Sequence, residues 1–114
     1  MDWNKLQRPE GTRDYLPDLA RKKSIIEQKV MEVFNSWGYD EIITPTFEYY
    51  DILSAATEGL HAKMYKFFNR QGEILALRPE MTASIARMVA TELREKTLPL
   101  RLAYEGNVYR YETP

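Results

Sequence analysis

Five consecutive residues, Arg78-Pro79-Glu80-Met81-Thr82, combine side chains that can bind an amino group with residues that begin a helix. Pro79 suits the first turn of a helix, where its missing N–H costs nothing. The carboxylate of Glu80 is then favoured by the positive end of the helix dipole. The same carboxylate could accept hydrogen bonds from an ammonium group, with the Thr82 hydroxyl beside it. Two interpretations stay open: helix-start chemistry, and a site for an amine.

Arg110 and Glu112 form a second pair, separated by Tyr111. On a strand, alternate residues share a face, so Arg110 and Glu112 point one way while Tyr109 and Tyr111 point the other. An arginine can bind a carboxylate or phosphate through two parallel hydrogen bonds, and a neighbouring glutamate can accept from an amine. The alternative interpretation is a cross-strand salt bridge on a solvated face.

The segment RPEGTRDYLPD, residues 8–18, is rich in charged and turn-forming residues. No helical period survives within it. It is either a solvated, mobile loop or a fixed loop that closes over a pocket.

Two amphipathic helices are predicted to position these residues. Apolar residues between Ile26 and Trp37 recur at the spacing of one helical stripe, on a helix that Asp18 caps and Gly38 ends. A second stripe predicts a helix over residues 80–95. The two stripes consist of Ile26, Val30, Val33, Phe34 and Trp37, and of Ile85, Met88, Val89 and Leu93.

Short strands are predicted between and after the helices. Residues 39–45 read as a strand, and an extended piece at 47–49 precedes a helical turn at 51–55. Residues 63–69 and 72–78 predict a hairpin turning at Gly72. Residues 98–112 read as a long final strand with Gly106 as a possible bulge. This order predicts an α+β domain with an antiparallel sheet flanked by helices.

Composition excludes several classes of site. The net charge is −1, which argues against a dedicated nucleic-acid surface. The chain has no cysteine, and its one histidine, His61, reads as a solvated loop residue. No apolar run approaches the ~20 residues that span a bilayer, and the N-terminus has no apolar signal core. We therefore predict a cytoplasmic protein with no metal site, no cofactor, no membrane contact and no nucleic-acid partner.

Four segments in sequence order resemble the histidyl-tRNA synthetase family: PEGTRDYLP, GYDEIITPTFE, KMYKFFNRQGEILALRPE and RLAYEGNVYRYETP. The resemblance extends from Pro9 to Pro114 and implies a class II aminoacyl-tRNA synthetase-like fold. It implies that Pro45 lies at a dimer interface within the first class II motif.

The resemblance also implies roles for the two residue pairs. Glu80 and Thr82 match positions that hold the α-amino group of histidine. Arg110 would meet an α-phosphate or a carboxylate, and so serves both the histidine site and a nucleotide-type pocket. Glu112 would help to position the nucleotide.

Two positions depart from the synthetase pattern. The synthetases have a glycine where this chain has Met81, and they tend to have a proline where it has Asn107. Glycine lets a ligand approach the backbone closely, whereas methionine adds a flexible apolar side chain at the mouth of the expected pocket. The segment LRPEMTASIARMVAT instead resembles the synthetase-like regulatory subunit of ATP phosphoribosyltransferase, a paralogue that keeps the fold without charging tRNA.

The resemblance therefore predicts a subunit without its own activity. It would assemble with the short-form catalytic subunit of ATP phosphoribosyltransferase in the first step of histidine biosynthesis, pair with itself as a homodimer, and take part in histidine feedback. The alternatives are the N-terminal fragment of a histidyl-tRNA synthetase and a binding module that reuses the fold. Because residues 1–114 finish on a predicted uncovered strand, we expect them to be the N-terminal portion of one such domain and to self-associate.

Overall fold

The computed structural model describes residues 2–57 and 59–112. Short 3₁₀ turns occur at Trp3–Lys5 and His61–Lys63. Within the described ranges the helices are α1 (Pro17–Ser36), α2 (Tyr50–Ala56) and α3 (Thr82–Glu92), and the strands are β1 (Asp40–Glu41), β2 (Phe47–Tyr49), β3 (Lys66–Phe68), β4 (Ile74–Leu77) and β5 (Leu102–Ala103).

The central element is a three-stranded antiparallel sheet in the order β2-β4-β3. Phe47 pairs with Leu77 across one edge of β4, and Phe67 pairs with Leu75 across the other. The rings of Phe47 and Phe67 meet edge to face, with their centroids 5.4 Å apart. The predicted hairpin is confirmed, and Gly72 in its turn has a φ of 79°.

The core lies where α2 and α3 pack on this sheet. Leu53 of α2 is fully buried against Ala76 of β4, with Met64 and Ala83 in the same cluster. Leu75 and Ala76 are both buried, so β4 is covered on both faces at this point. The predicted α+β class, with an antiparallel sheet flanked by helices, is confirmed.

A second, two-stranded sheet pairs β1 with β5 in parallel. The predicted strand at 39–45 contracts to Asp40–Glu41, and the predicted long strand at 98–112 contracts to Leu102–Ala103. The latter prediction was wrong because the segment after Ala103 bonds to separate partners instead of one neighbouring strand. Tyr109 N donates to Arg78 O, and Tyr111 N donates to Lys63 O.

Helix α1 carries its apolar stripe on an exposed surface. None of its 20 residues is buried in the described structure. The prediction that Asp18 caps this helix was wrong, because Pro17 occupies the first helical turn and Leu16 is the N-cap residue. Asp18 instead lies in that turn, 3.9 Å from Arg21. Gly38 follows the end of the helix with a φ of 80°, as predicted.

Across residues 2–57 and 59–112, no helix has both the length and the apolar character needed to cross a membrane.

Candidate functional site

The start of α3 is capped by the carboxylate of Glu80. Its Oε2 accepts a hydrogen bond from Thr82 N, and its Oε1 accepts one from Ala83 N at 3.1 Å. These are N–H groups that a helix leaves without partners in its first turn. Glu80 therefore has the structural role predicted for a carboxylate at a helix start. Each oxygen keeps a second lone pair for another donor.

Met81 lies between the two residues expected to bind an amine. Its φ of −99° and ψ of −21° are ordinary helical values, so the backbone at this position does not require glycine. Its side chain is buried, whereas the sequence predicted it at the mouth of a pocket. The methyl carbon Cε lies 3.7 Å from the position that a Cβ on Gly106 would take.

Arg110 approaches the same helix start from the C-terminal segment. Its Nε donates to Pro79 O at 2.8 Å, which brings it next to Glu80 in the fold. Thr82 is exposed, and only its backbone N–H is hydrogen-bonded to Glu80. The structure thus joins Thr82 to Glu80 through a backbone N–H and brings Arg110 to the carbonyl of the residue before Glu80.

Glu112 lies apart from Arg110. Its carboxylate is 3.6 Å from Lys63 Nζ, and both side chains are about half exposed. The alternative interpretation, a salt bridge on a solvated face, therefore describes Glu112, whereas Arg110 bonds to a backbone carbonyl. An exposed ion pair of this kind contributes little to stability.

The loop at residues 9–12 closes over a cleft beside Arg110. The cleft has a volume of about 270 Å³, with Tyr65 and Leu77 in its lining and Val108, Tyr109 and Arg110 along one wall. Arg8 Nε donates to Thr12 O at 2.8 Å, and Thr12 N donates to Pro9 O at 3.2 Å. These bonds close a turn within a loop whose residues are exposed. Glu80 and Thr82 are not among the lining residues.

A larger cleft adjoins the first and is lined by Arg13, Asp14, Lys23 and Asn107, among others. The pKa of Lys23 lies above its ordinary value because its ammonium donates a hydrogen bond to the Glu27 carboxylate, with a smaller attraction from Glu105.

Arg78 is the residue whose position sequence reasoning missed. It is buried, and its guanidinium donates to Asn107 O at 2.7 Å, to Thr44 O at 3.2 Å and to Pro45 O at 3.3 Å. The one available signal was a charged residue at the end of the apolar run ILAL. A charged residue at the end of an apolar run does not indicate that its partners are the carbonyls of Thr44 and Asn107, which are distant in sequence.

Pro45, expected at a dimer interface, is exposed, and so is Ile43 two residues before it. Its carbonyl belongs to the set around Arg78. The side chains of Ile43 and Pro45 are therefore exposed, while the Pro45 carbonyl is hydrogen-bonded to Arg78.

Glu48 and Arg87 form a second polar pair that the sequence did not predict. Arg87 Nε lies 2.7 Å from Glu48 Oε1, and the Glu48 side chain is 8% exposed. Within the described residues, Glu48 Oε2, Ser84 Oγ and Arg87 Nε are buried without a hydrogen-bond partner, so the Glu48–Arg87 contact is a close ion pair without hydrogen-bond alignment. This pair joins β2 to α3 beneath the sheet.

No group of three or more His, Cys, Asp or Glu residues suited to a metal ion occurs in the part of the chain that the structure describes. His61 is exposed, with its Nε2 2.9 Å from Ser54 O.

Comparison with known proteins decides the family. A family model described as histidyl-tRNA synthetase matches residues 11–114. The chain belongs to the histidyl-tRNA synthetase family. The match spans in full the last three of the four segments that carried the resemblance, and the first segment from Gly11 onward.

Relatives within this family divide between two names. The chain is 52% identical over 110 residues to an ATP phosphoribosyltransferase regulatory subunit from Moorella thermoacetica, covering 96% of this chain and 28% of the relative. It is 44% identical over 109 residues to a histidine–tRNA ligase from Methanocaldococcus jannaschii, covering 95% of this chain and 26% of the relative. The predicted similarity to the regulatory subunits is confirmed, and the chain spans about a quarter of the length of these relatives.

A solved structure of the family confirms the class II synthetase-like fold. The crystal structure of an ATP phosphoribosyltransferase regulatory subunit/histidyl-tRNA synthetase from Bacillus halodurans matches with a TM-score of 0.87 at 44% identity. The match covers 96% of this chain and 29% of that chain.

Proposed function

We propose that this chain is the N-terminal portion of a regulatory subunit without catalytic activity of its own. The subunit assembles with short-form ATP phosphoribosyltransferase, activates it in the first step of histidine biosynthesis, and takes part in feedback by histidine. The observation that carries the proposal is the buried Met81 between Glu80 and Thr82, where the synthetases have a glycine.

The physical argument concerns the space beside the backbone of α3. A glycine would leave this space open for a ligand and its reacting groups. The Met81 side chain occupies the interior next to Gly106 instead. Removing it would leave a cavity, so the side chain of Met81 contributes to packing.

The relatives support the same choice. Identity is 52% to the regulatory subunit and 44% to the ligase, over almost the same length of chain. The Bacillus halodurans structure carries both names, which keeps the N-terminal fragment of a histidyl-tRNA synthetase as the alternative.

Histidine is the proposed effector, with its ammonium on Glu80 and Thr82 and its carboxylate on Arg110. Glu80 can accept further hydrogen bonds while it caps α3, because each of its oxygens has two lone pairs. Arg110 uses Nε for Pro79 O, so its terminal nitrogens remain for a planar anion. Arg110 and Glu112 would form the nucleotide-type pocket once Glu112 leaves Lys63, an exposed pair that costs little to break.

Regulation requires that histidine and the catalytic subunit each favour one of two states of the complex. We propose a cytoplasmic complex in which the regulatory chain pairs with itself around Pro45. No cofactor and no nucleic-acid partner are part of the proposal.

The test against the alternative is ATP–pyrophosphate exchange with histidine, measured on the complete gene product that contains this chain. We expect no histidine-dependent exchange, because the buried Met81 side chain fills the interior beside Gly106 at a position where, by the resemblance, the synthetases have a glycine. A matched variant, Met81→Gly, reproduces the synthetase residue and tests whether this position alone blocks the reaction. Exchange by the unaltered protein at the rate of an active synthetase would establish the alternative.

A further inference from the structure

Arg78 places a buried positive charge among backbone carbonyl groups. No carboxylate lies within 4 Å of its guanidinium in residues 2–57 and 59–112, and its hydrogen bonds go to the carbonyls of Thr44, Pro45 and Asn107. A buried charge is costly unless such bonds compensate it. The guanidinium is rigid and planar, so it holds these three oxygens in fixed relative positions.

The backbone of Arg78 bonds to the same two segments. Its N–H donates to Thr46 O at 3.1 Å, and its carbonyl accepts from Tyr109 N at 2.9 Å. One residue thus contacts residues 44–46 through both side chain and backbone, and contacts residues 107–109 in the same way.

Gly106 shows how closely the second segment approaches. A Cβ at this position would lie 2.7 Å from Arg78 Nη2 and 3.5 Å from Cζ. Gly106 is not among the glycines with positive φ, so the backbone conformation itself would accept another residue. The guanidinium is therefore the reason for glycine here.

We propose that Arg78 is a positioning residue that couples residues 44–46 to residues 106–110, so that a change in packing at Pro45 reaches the backbone of Arg110. The structural claim stands on the contacts above. Its biological meaning rests on the proposed function, in which Pro45 lies at the subunit contact and Arg110 at the effector site.

The test compares amide hydrogen exchange of the complete gene product with that of its Arg78→Lys variant. The amides of residue 78 and Tyr109 report the two segments separately, because each makes one of the backbone bonds described above. A lysine keeps the positive charge but lacks the planar set of N–H donors. The amides of residue 78 and Tyr109 should therefore both exchange faster, by about tenfold or more. The Leu77 amide, bonded to Tyr65 O in the neighbouring strand pair, should stay within about threefold of its original rate.

Arg87→Lys is the matched control, because Arg87 is a partly buried arginine that contacts Glu48 instead of these carbonyls. It should leave the amides of residue 78 and Tyr109 unchanged. Faster exchange at only one of the two amides in Arg78→Lys, or equal acceleration at Leu77, would overturn the proposal.

A double-mutant cycle tests the contact without relying on one variant. Gly106→Ala should lower the thermal midpoint in the wild-type background and lower it less in Arg78→Lys, since lysine lacks the atom that the new Cβ meets. Equal losses in both backgrounds would contradict the coupling. If Arg78→Lys does not fold, Gly106→Ala alone should accelerate the same two amides, and unchanged rates there would reject the proposal.

The outcomes separate this inference from the proposed function. Absence of histidine binding would defeat the proposed effector site and leave the amide result standing. If histidine binds but the amides of residue 78 and Tyr109 do not respond together to Arg78→Lys, only the proposed coupling through Arg78 is rejected.

Discussion

The carboxylate of Glu80 already has a structural task at the start of α3, and the effector proposal gives it a second one. As a cap it accepts the N–H groups of Thr82 and Ala83. As a ligand for histidine it would meet an ammonium in a charge-assisted hydrogen bond, worth ~1.5–3 kcal/mol. Removing the charge should therefore change both stability and affinity if both roles exist.

Glu80→Gln should weaken histidine binding by roughly tenfold or more, because the loss of one such bond exceeds 1.4 kcal/mol. It should also lower stability by ~0.5–2 kcal/mol, since an amide side chain caps with only one oxygen. Assembly should change little. Calorimetric titration of histidine into the wild-type and variant complexes measures the affinity, and thermal melting measures the stability.

Glu112→Gln is the control for this prediction. It makes the same chemical change in an exposed pair with Lys63, away from the start of α3. Histidine affinity should be preserved in this variant. Equal affinity in wild type and Glu80→Gln, with a lower melting temperature in the latter, would leave Glu80 with its capping role alone.

At this scale, local chemistry was predictable and long-range contacts were not. A proline followed by glutamate at a strand–helix junction indicated a helix start, and the structure has one. The partners of Arg78 lie in segments far away along the chain, which no local pattern specifies. The same holds for Gly106, whose need for glycine arises from that arginine.

Helices α1 and α2 differ in what they pack against, although both carry apolar residues. Leu53 of α2 is fully buried, whereas Val33 of α1 is 58% exposed. A helix gains most of its stability in a protein from the face that it buries. Within the described chain, α2 is therefore part of the core, and α1 presents an apolar surface.

Leu53→Ala should lower the free energy of unfolding by ~2–5 kcal/mol, because it leaves a cavity between α2 and β4. Val33→Ala should change it by no more than ~0.5 kcal/mol at concentrations where the chain is monomeric. Urea-induced unfolding measures both variants. Similar losses for the two would mean that α1 is packed in the folded chain and would contradict the structure.

The elements that sequence predicted well are those with a local signal. Patterns within a few neighbouring residues predicted the stripe along α1, the extended piece before α2 and the hairpin that turns at Gly72. The parallel pairing of β1 with β5 has no such signal, because it joins two-residue strands from distant parts of the chain. The final strand was overestimated because alternating tyrosines imitate strand periodicity while their amides bond to separate partners.

Large apolar side chains remain exposed over the whole molecule. They include Trp3, Trp37, Ile43 and Phe68, in addition to the stripe of α1. The exposed residues of the α1 stripe share one helix face, and an exposed apolar face is typical of an interface rather than of a monomer. We expect the chain to self-associate, in line with the proposed homodimer.

Sedimentation of the chain at micromolar concentration should therefore show a dimer or larger species. Ile26→Glu should shift the distribution towards monomer, because it introduces a charge into the apolar stripe of α1. Gln28→Glu, which adds the same charge on the same helix, should have a smaller effect. A folded monomer for the unaltered chain would refute the self-association.

The central claim concerns the partner, and the turnover of a short-form ATP phosphoribosyltransferase tests it most directly. The enzyme is assayed at saturating substrate concentrations with and without the complete gene product that contains this chain. The account predicts that turnover rises on addition, that the two proteins co-sediment, and that histidine reverses the rise. Unchanged turnover without a complex, together with histidine-dependent ATP–pyrophosphate exchange, would contradict it and identify a synthetase instead.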